Sequence, residues 1–524
     1  MVCRMIQILS LITIFFVALF FYIRKQRDSK FRSDVPGLKP QLLIGNLWQL
    51  GILKGESLTN VCIKLREKYG DIFQYWNGPN CFFVFNKLEH AMHVLRSKNM
   101  TKYERTEGEM SAFRPFQPHG LEALRGHQHQ CVKRILNPLV QKSNMAQHTD
   151  AILKRIDEWI LVLRQQGFQS TPSLHTDLVD RVSILAFQLN STHFCANYNL
   201  QIIGDNEEDV QRANRILAAM ADVAEHAALI VRYSIPDSIG NVLFNLNSKC
   251  RRAVHVMKPL VEDMIDYLVC LQRDSHDDMS DNKPQTALLD AANVAVDQSS
   301  TTKANVEEKI SSLSREVLRD WILSVFGGAY DSSSAYAWFI FYMSKYPQVQ
   351  AGIKRELNER NITRITPLTS DLIYSLSYVD CVLKEILRHA PIVETVQRQV
   401  IENDVIDGIP LSVGDRIMLS TRSIHRSKNI WRHPAGPDAF VPERFLEDDK
   451  NYPPQALMTF GGGLRRCYGS NLAQFHVKLF IVRTMQTLSF HDAPGNSGGS
   501  HHNTSGFPKG VNVYITFDDA DNQS

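Results

Sequence analysis

The sequence lacks the features of a disulfide framework, a structural zinc site or a nucleic-acid binder. Its nine cysteines are odd in number and scattered, and no two form a Cys-x-x-Cys pair, which argues for a reducing compartment. The 58 basic and 55 acidic side chains give a net charge of only +3, so nucleic acid is not an expected partner. With 44% hydrophobic and 22% charged residues, the 524-residue chain has the composition of a packed globule.

Charge is also missing from one stretch near the N-terminus. Residues 6–23 contain no charged side chain and nearly span a hydrocarbon core of about 30 Å. Basic residues follow at once, and the bulky residues 20–23 are unsuited to signal-peptide cleavage. We therefore expect residues 1–33 to be an uncleaved membrane anchor with a basic flank. Residues 34–524 are expected to form one soluble domain on the cytosolic side, joined to the anchor by a stiff, proline-rich linker at 35–40.

Hydropathy patterns predict a mainly α fold with small β-sheets, an α+β arrangement. Helical spacing dominates residues 88–341, and a long helix pattern at 314–346 is interrupted by Gly327-Gly328. Two short apolar runs flank residues 77–80 and predict a hairpin. Other short strands are expected at 398–406, 416–420 and 511–517.

A single cysteine lies in the glycine- and arginine-rich loop at 460–469, FGGGLRRCYG. Glycines allow positive φ angles and a close approach of the backbone to a flat ligand. The two arginines and the N-terminus of the helix pattern at 471–488 favour the thiolate. A thiolate in this position is a metal ligand or a nucleophile, and the alternative is a reactive thiol without a function. No Walker-type lysine follows, which disfavours phosphate binding.

This loop resembles the heme-binding signature F-x-x-G-x-R-x-C-x-G of the cytochrome P450 family. The fixed positions are occupied by Phe460, Gly463, Arg465, Cys467 and Gly469. The resemblance implies a heme b cofactor with Cys467 as the axial thiolate ligand of its iron. Arg465 would lie near a propionate, and Phe460 would pack under the ring. Such a thiolate pushes electron density onto the iron and favours cleavage of the O–O bond.

Two more segments resemble the same family. Glu385 and Arg388 form its E-x-x-R pattern, and Arg444 lies in a P-E-R-F segment at 442–445. The resemblance implies that these three side chains interlock and hold the cysteine loop in place, a structural role. Arg398 matches a basic residue that usually reaches a heme propionate.

The third long helix departs from the family pattern. The family often has W-x-x-x-R there, with both side chains on the propionates. Aligning Gly126 and the Asn137-Pro138 pair puts His129 and Lys133 at these places. Histidine can donate a hydrogen bond and lysine keeps the charge, but it lacks the bidentate fork of arginine. The alternative for His129 is an ordinary core or surface histidine.

The oxygen-binding stretch of the long helix departs further. The family pattern is A-G-x-D/E-T-T, and here residues 326–333 read FGGAYDSS. An ungapped alignment puts Tyr330 at the acid and Asp331 at the first threonine. A shift by one residue gives Asp331 as the acid and Ser332 as the alcohol, and a π-bulge would reconcile the two registers. We take Asp331 and Ser332 as the candidates for proton delivery, with Tyr330 third, and Gly328 as a further candidate residue of the catalytic site.

The resemblance implies a membrane-anchored heme-thiolate monooxygenase of the microsomal type. Such an enzyme inserts one atom of dioxygen into an apolar small molecule. Electrons would come from NADPH through NADPH-cytochrome P450 reductase, with cytochrome b5 as a further candidate, at the endoplasmic reticulum membrane. Two alternatives remain open. One is a heme-dependent rearranging or dehydrating enzyme without external electrons, and the other is a non-catalytic heme- or lipid-binding protein.

Overall fold

A computed structural model describes residues 31–41, 44–96, 101–166, 172–195, 198–203, 206–233, 235, 237–277, 314–502 and 506–518. Among these residues no helix combines the length and the apolar character needed to cross a membrane. The predicted anchor at residues 6–23 lies outside the described residues.

The described chain is mainly helical and carries small sheets, as the sequence predicts. The helices are α1 (Leu58–Tyr69), α2 (Leu88–Leu95), α3 (Glu107–Ser111), α4 (Gly126–Leu136), α5 (Lys142–Gln147), α6 (Thr149–Gln166), α7 (Leu178–Phe194), α8 (Glu207–Tyr233), α9 (Asp237–Leu246), α10 (Ser248–Asp277), α11 (Arg315–Lys345), α12 (Pro347–Glu359), α13 (Ser370–Ser375), α14 (Ser377–His389), α15 (Thr421–His425) and α16 (Ser470–Met485).

The strands are short and belong to separate small sheets. They are β1 (Ile72–Asn77), β2 (Asn80–Phe85), β3 (Tyr103–Glu104), β4 (Ser173–His175), β5 (Thr395–Val400), β6 (Asp404–Ile406), β7 (Ile409–Leu411), β8 (Arg416–Ser420), β9 (Leu488–Asp492), β10 (Ser500–His502), β11 (Gly506–Pro508) and β12 (Val513–Phe517). The chain divides into two compact units. The first comprises the described residues of Met1–Thr106, Val231–Ile235 and Thr395–Ile424, and the second those of Glu107–Ile230, Pro236–Glu394 and His425–Ser524.

The first unit is built on a five-stranded sheet with the order β1-β2-β8-β5-β3. Strands β1 and β2 form the predicted hairpin, in which Ile72 lies opposite Phe85. Strand β8 runs parallel to β2 and antiparallel to β5. Apolar side chains of β1, β2 and α1 pack together beneath this sheet, which gives the unit its own small core.

The structure overturns the prediction of a separate linker at residues 35–40. The N–H of Leu38 donates to the carbonyl of Gln74 in β1 at 3.0 Å, and the N–H of Gln74 donates to the carbonyl of Pro36 at 2.8 Å. Gly37 has φ 151°, and a Cβ there would lie 2.1 Å from the Gln74 carbonyl oxygen. Val35 is only 1% exposed. The prediction of a separate linker was therefore wrong, because backbone pairing and apolar burial make residues 35–38 part of the first unit.

The second unit is a helical core organised around the long helix α11. This helix packs against α7, α10, α14 and α16. It starts after Ser314, whose hydroxyl accepts a hydrogen bond from the N–H of Val317. Ser334 and the Trp338 indole both donate to the carbonyl of Gly506 at 2.7 Å, which joins the helix to β11. A three-stranded sheet, β4-β12-β9, closes the edge of this unit. The long helix is thereby held over most of its length.

Candidate active site

The cysteine loop is a tight turn that ends at the N-terminus of α16. The N–H of Cys467 donates to the carbonyl of Phe460 at 2.9 Å, which closes the loop, and the N–H of Arg466 donates to Gly463 at 3.1 Å. Gly461 and Gly463 have φ angles of 66° and 68°, in the left-handed region that only glycine adopts at low cost. Two turns of this kind within three residues explain why the loop needs its glycines.

The thiol of Cys467 lies in a cationic setting. The residue is exposed, it precedes the first residue of α16 by three positions, and Arg466 beside it is exposed too. A helix N-terminus and nearby guanidinium groups are features that favour a thiolate over a thiol. The site can therefore present a thiolate to a metal ion.

Three hydrogen bonds join the cysteine loop to helix α4 and the residues just before it. The Lys133 ammonium donates to the carbonyl of Leu464 at 3.0 Å, and Arg465 donates to the carbonyl of Leu124 at 2.9 Å. The Tyr468 hydroxyl donates to the carbonyl of Leu136, and burial raises the pKa of this tyrosine. Two of the side chains predicted to bind propionates are thus brought to the same loop.

The other predicted cofactor-binding residues lie on elements of different units. His129 is on α4, one turn before Lys133, and its side chain is 8% exposed. Arg398 is in strand β5 of the first unit, where its guanidinium donates to the carbonyl of Gln397 at 2.7 Å. Gly469 immediately precedes α16, and a Cβ there would meet no atom within 4 Å.

Glu385, Arg388 and Arg444 form the predicted interlocked triad, and all three are fully buried. Both oxygens of Glu385 accept hydrogen bonds from Arg388, at 2.7 and 2.8 Å. One of them also accepts from Arg444 at 3.0 Å. Nη1 of Arg388 donates to the carbonyls of both Pro437 and His425, at 2.7 and 2.8 Å. The triad thereby holds the chain segment that leads to the cysteine loop.

Asp449 is a fourth member that the sequence reasoning missed. Its carboxylate accepts from Arg444 at 3.1 Å and is 3% exposed, so the buried cluster contains two arginines and two carboxylates. The charges balance, which offsets part of the desolvation cost of burying them. Asp449 lies five residues after Arg444, beyond the P-E-R-F segment, and the only sequence signal was an acid within a turn-rich stretch.

The oxygen-binding stretch lies in the middle of α11, which is α-helical without interruption from Arg315 to Lys345. The bulge that would reconcile the two alignments is therefore absent from this helix, and the ungapped register needs none. A Cβ on Gly327 or Gly328 would meet no atom within 4 Å, so one side of the helix is open there. The Ser332 hydroxyl donates to the carbonyl of Gly328 at 2.8 Å. Asp331 is half-buried beside it.

The residues fit a large flat cofactor that carries a thiolate-binding metal. The donor is one exposed thiol, and open space surrounds the Cβ positions of Gly461, Gly469 and the Gly327-Gly328 pair. Helix α16, which follows the thiol, packs against α11, which carries the glycine pair. Lysine and arginine side chains next to the loop supply positive charge for acidic substituents of such a cofactor.

A family model described as cytochrome P450 matches residues 35–512. The chain belongs to the cytochrome P450 family. It is similar to cytochrome P450 3A15 of Cavia porcellus, with 21% identity over 471 residues that cover 88% of this chain and 86% of the relative. It is also 22% identical to cytochrome P450 3A11 of Mus musculus, over 92% of this chain and 90% of the relative. This cytochrome P450 is therefore an oxidoreductase, a heme-thiolate monooxygenase by family.

Proposed function

We propose that this cytochrome P450 inserts one oxygen atom into an apolar small molecule. Its electrons come from NADPH through NADPH-cytochrome P450 reductase, and cytochrome b5 is a second candidate donor. The observation that carries the proposal is the exposed Cys467 thiol in a loop closed by its own backbone N–H. Heme, when bound, supplies the dioxygen chemistry, and the protein supplies the ligand, the pocket and the proton path.

Cys467 is proposed to bind the heme iron, and the glycines of its loop would leave room for the cofactor. Arg465 and Lys133 are proposed to bind the propionates, with support from their hydrogen bonds at the loop. His129 and Arg398 complete the set proposed for these carboxylates. Phe460, whose carbonyl accepts the Cys467 N–H, is proposed to pack under the ring.

Two measurements on the purified holoenzyme test this function. The reduced, carbon-monoxide-bound protein is expected to show the red-shifted band of a thiolate ligand. Product formation from an apolar substrate library is expected only with NADPH and the reductase. Equal turnover without them would favour a rearranging or dehydrating enzyme. Tight substrate binding without turnover under either condition would favour a non-catalytic binding protein.

Proton delivery is proposed to depend on Asp331, on the open side of α11. We expect Asp331→Asn to keep the shape of the side chain while removing its ionisable group. Since positioned acid–base groups contribute about 100-fold or more to proton transfer, the ratio of product to released peroxide should fall by about that factor. Ser332→Ala should be nearly silent, because the uninterrupted helix favours the ungapped register. The measurement is product and hydrogen peroxide formed per NADPH consumed.

Ser333→Ala is the matched control for these two variants. Ser333 is fully buried, and its hydroxyl donates to the carbonyl of Tyr330 at 2.7 Å, so its loss should change stability more than coupling. If Asp331 only holds the helix, Asp331→Asn would lower stability and leave the product-to-peroxide ratio unchanged, which would contradict the proposed proton path.

We propose a single-pass anchor in the endoplasmic reticulum membrane, with the catalytic domain in the cytosol. The support is the uncharged stretch 6–23 with its basic flank. A variant lacking residues 1–30 should leave the membrane fraction and keep its heme. This truncation ends before Arg32, whose backbone carbonyl accepts from the Gln74 side chain, so the packed segment 35–38 remains supported. Fractionation and the heme-to-protein ratio check both points, and a truncated protein that still sediments with membranes would contradict the single anchor.

A further inference from the structure

His425 is a buried histidine that forms a reciprocal pair with Arg388 of the triad. Its Nδ1–H donates to the backbone carbonyl of Arg388 at 3.2 Å. The guanidinium of Arg388 in turn donates to the backbone carbonyl of His425 at 2.8 Å. The imidazole is 0% exposed, so both of its ring nitrogens need partners within the protein. One end of the ring is thus fixed to helix α14.

The other end of the ring leads to the cysteine loop. Nε2 of His425 accepts the backbone N–H of Met458 at 2.9 Å. The carbonyl of Met458 accepts the N–H of Gly461 at 2.8 Å, at the first left-handed turn of the loop. Phe460, between these two residues, accepts the N–H of Cys467 at 2.9 Å. A continuous series of hydrogen bonds therefore runs from α14 through His425 to the backbone of Cys467.

The triad side chains do not make this connection themselves. Glu385, Arg388 and Arg444 bind one another, Asp449 and backbone groups between residues 425 and 441. A second, parallel bond joins the Thr459 hydroxyl to the carbonyl of Leu387 at 3.1 Å. The connection between the triad and the loop thus passes through His425 and Thr459.

The imidazole can serve in this way only in one neutral form, with the proton on Nδ1 and a lone pair on Nε2. A second proton would place an N–H opposite the N–H of Met458. Burial, helped by the positive charge of Arg388, lowers the pKa of His425 to about 3. The neutral form is therefore the one present at physiological pH.

We infer that His425 is a positioning residue for the cysteine loop, which it holds through the backbone of Met458. The inference rests on the proposed role of Cys467 as the heme ligand. An imidazole suits this role because it is rigid and offers a donor and an acceptor on opposite edges of one ring. Removing the acceptor Nε2 should loosen the turn at Gly461 and make the position of the Cys467 thiolate less fixed, without leaving a cavity in the core.

Three substitutions distinguish the role of Nδ1 of His425 from that of Nε2. His425→Gln places an amide oxygen near Nε2, His425→Asn places an amide nitrogen near Nδ1, and His425→Phe keeps the ring without either group. The readouts are the fraction of red-shifted carbonyl band and the rate of heme transfer to excess apomyoglobin.

The expected results follow from the size of one hydrogen bond. Loss of one buried hydrogen bond corresponds to about a ten-fold change in an equilibrium or rate constant. We expect heme loss to be about ten-fold faster in the Asn and Phe variants, with part of the band shifted to the thiol form. The Gln variant should stay within about two-fold of the wild type.

His389→Phe is the control, because His389 lies next to Arg388 on α14 and its ring pairs with Tyr342 and the Asp438 carbonyl instead. It should leave the carbonyl band unchanged. Wild-type-like bands and heme-loss rates in all three His425 variants would overturn the inference while leaving Cys467 as the ligand. An Asn variant as good as the Gln variant would overturn it too, even if the Phe variant fails to fold. If the wild type itself lacks the red-shifted band, the proposed function and this inference both fall.

Discussion

Cys467→Ser is expected to abolish the red-shifted carbonyl band and all detectable monooxygenase turnover. A serine hydroxyl has nearly the shape of the thiol, but it stays protonated in the setting that favours a thiolate. The backbone bond from residue 467 to the Phe460 carbonyl at 2.9 Å does not depend on the side chain, so the loop should keep its form. The expected product is a folded protein that lacks the thiolate ligand. The measurement is the reduced carbonyl spectrum with a turnover assay on the same sample.

Cys270→Ser is the matched control, because Cys270 is also exposed but lies on the long helix α10. It should retain the full wild-type band and activity. A red-shifted band that persists in Cys467→Ser would contradict the assignment of the ligand. A band lost equally in both variants would point to damage of the sample instead of the loss of a ligand.

The elements of the fold could be predicted where apolar residues recur with the spacing of a helix or a strand. The hairpin β1–β2 and strand β8 appear where the sequence placed them, and α11 ends within one residue of the predicted boundaries at both ends. The linker prediction failed for a physical reason. Proline and glycine at 36–40 indicate a turn-rich chain, but Gly37 is required by close backbone contact with Gln74, and such a tertiary contact leaves no periodic signal.

The candidate site was predictable only as far as local motifs reach. Glu385 and Arg388 are one helical turn apart and share a helix face, but only the family resemblance implied that they interlock with Arg444. Asp449 and His425 were not assigned these contacts. Asp449 lies in irregular chain, His425 is the last residue of the short helix α15, and neither contact follows from a local motif. The sequence also could not show whether a bulge interrupts the helix near Asp331, and the structure shows that α11 is uninterrupted there.

We expect Arg388→Ala and Arg444→Ala each to yield little heme-loaded protein, because each removes one member of the buried triad. Either change leaves buried carboxylates short of a partner, and removing one member of a buried ion pair costs about 3–5 kcal/mol. Total stabilities are about 5–15 kcal/mol, so the loss is a large share. Arg444→Ala should be the more destabilising of the two variants, because Glu385 and Asp449 both lose Arg444 as a cationic partner.

A surface ion pair of the same unit provides the control. Arg181 and Asp177 lie 2.7 Å apart one helical turn from each other and are partly exposed, so Arg181→Ala should change stability by about 1 kcal/mol or less. Expression yield, heme content and the denaturant midpoint distinguish the variants.

Asp449→Asn is an intermediate variant of the same cluster. It keeps a hydrogen-bond acceptor for Arg444 and removes one charge, so its stability and heme content should lie between those of the control and those of the arginine variants. Normal heme content in Arg388→Ala or Arg444→Ala would show that the buried cluster is not needed to hold the segment 436–441 and, through it, the chain that leads to the cysteine loop.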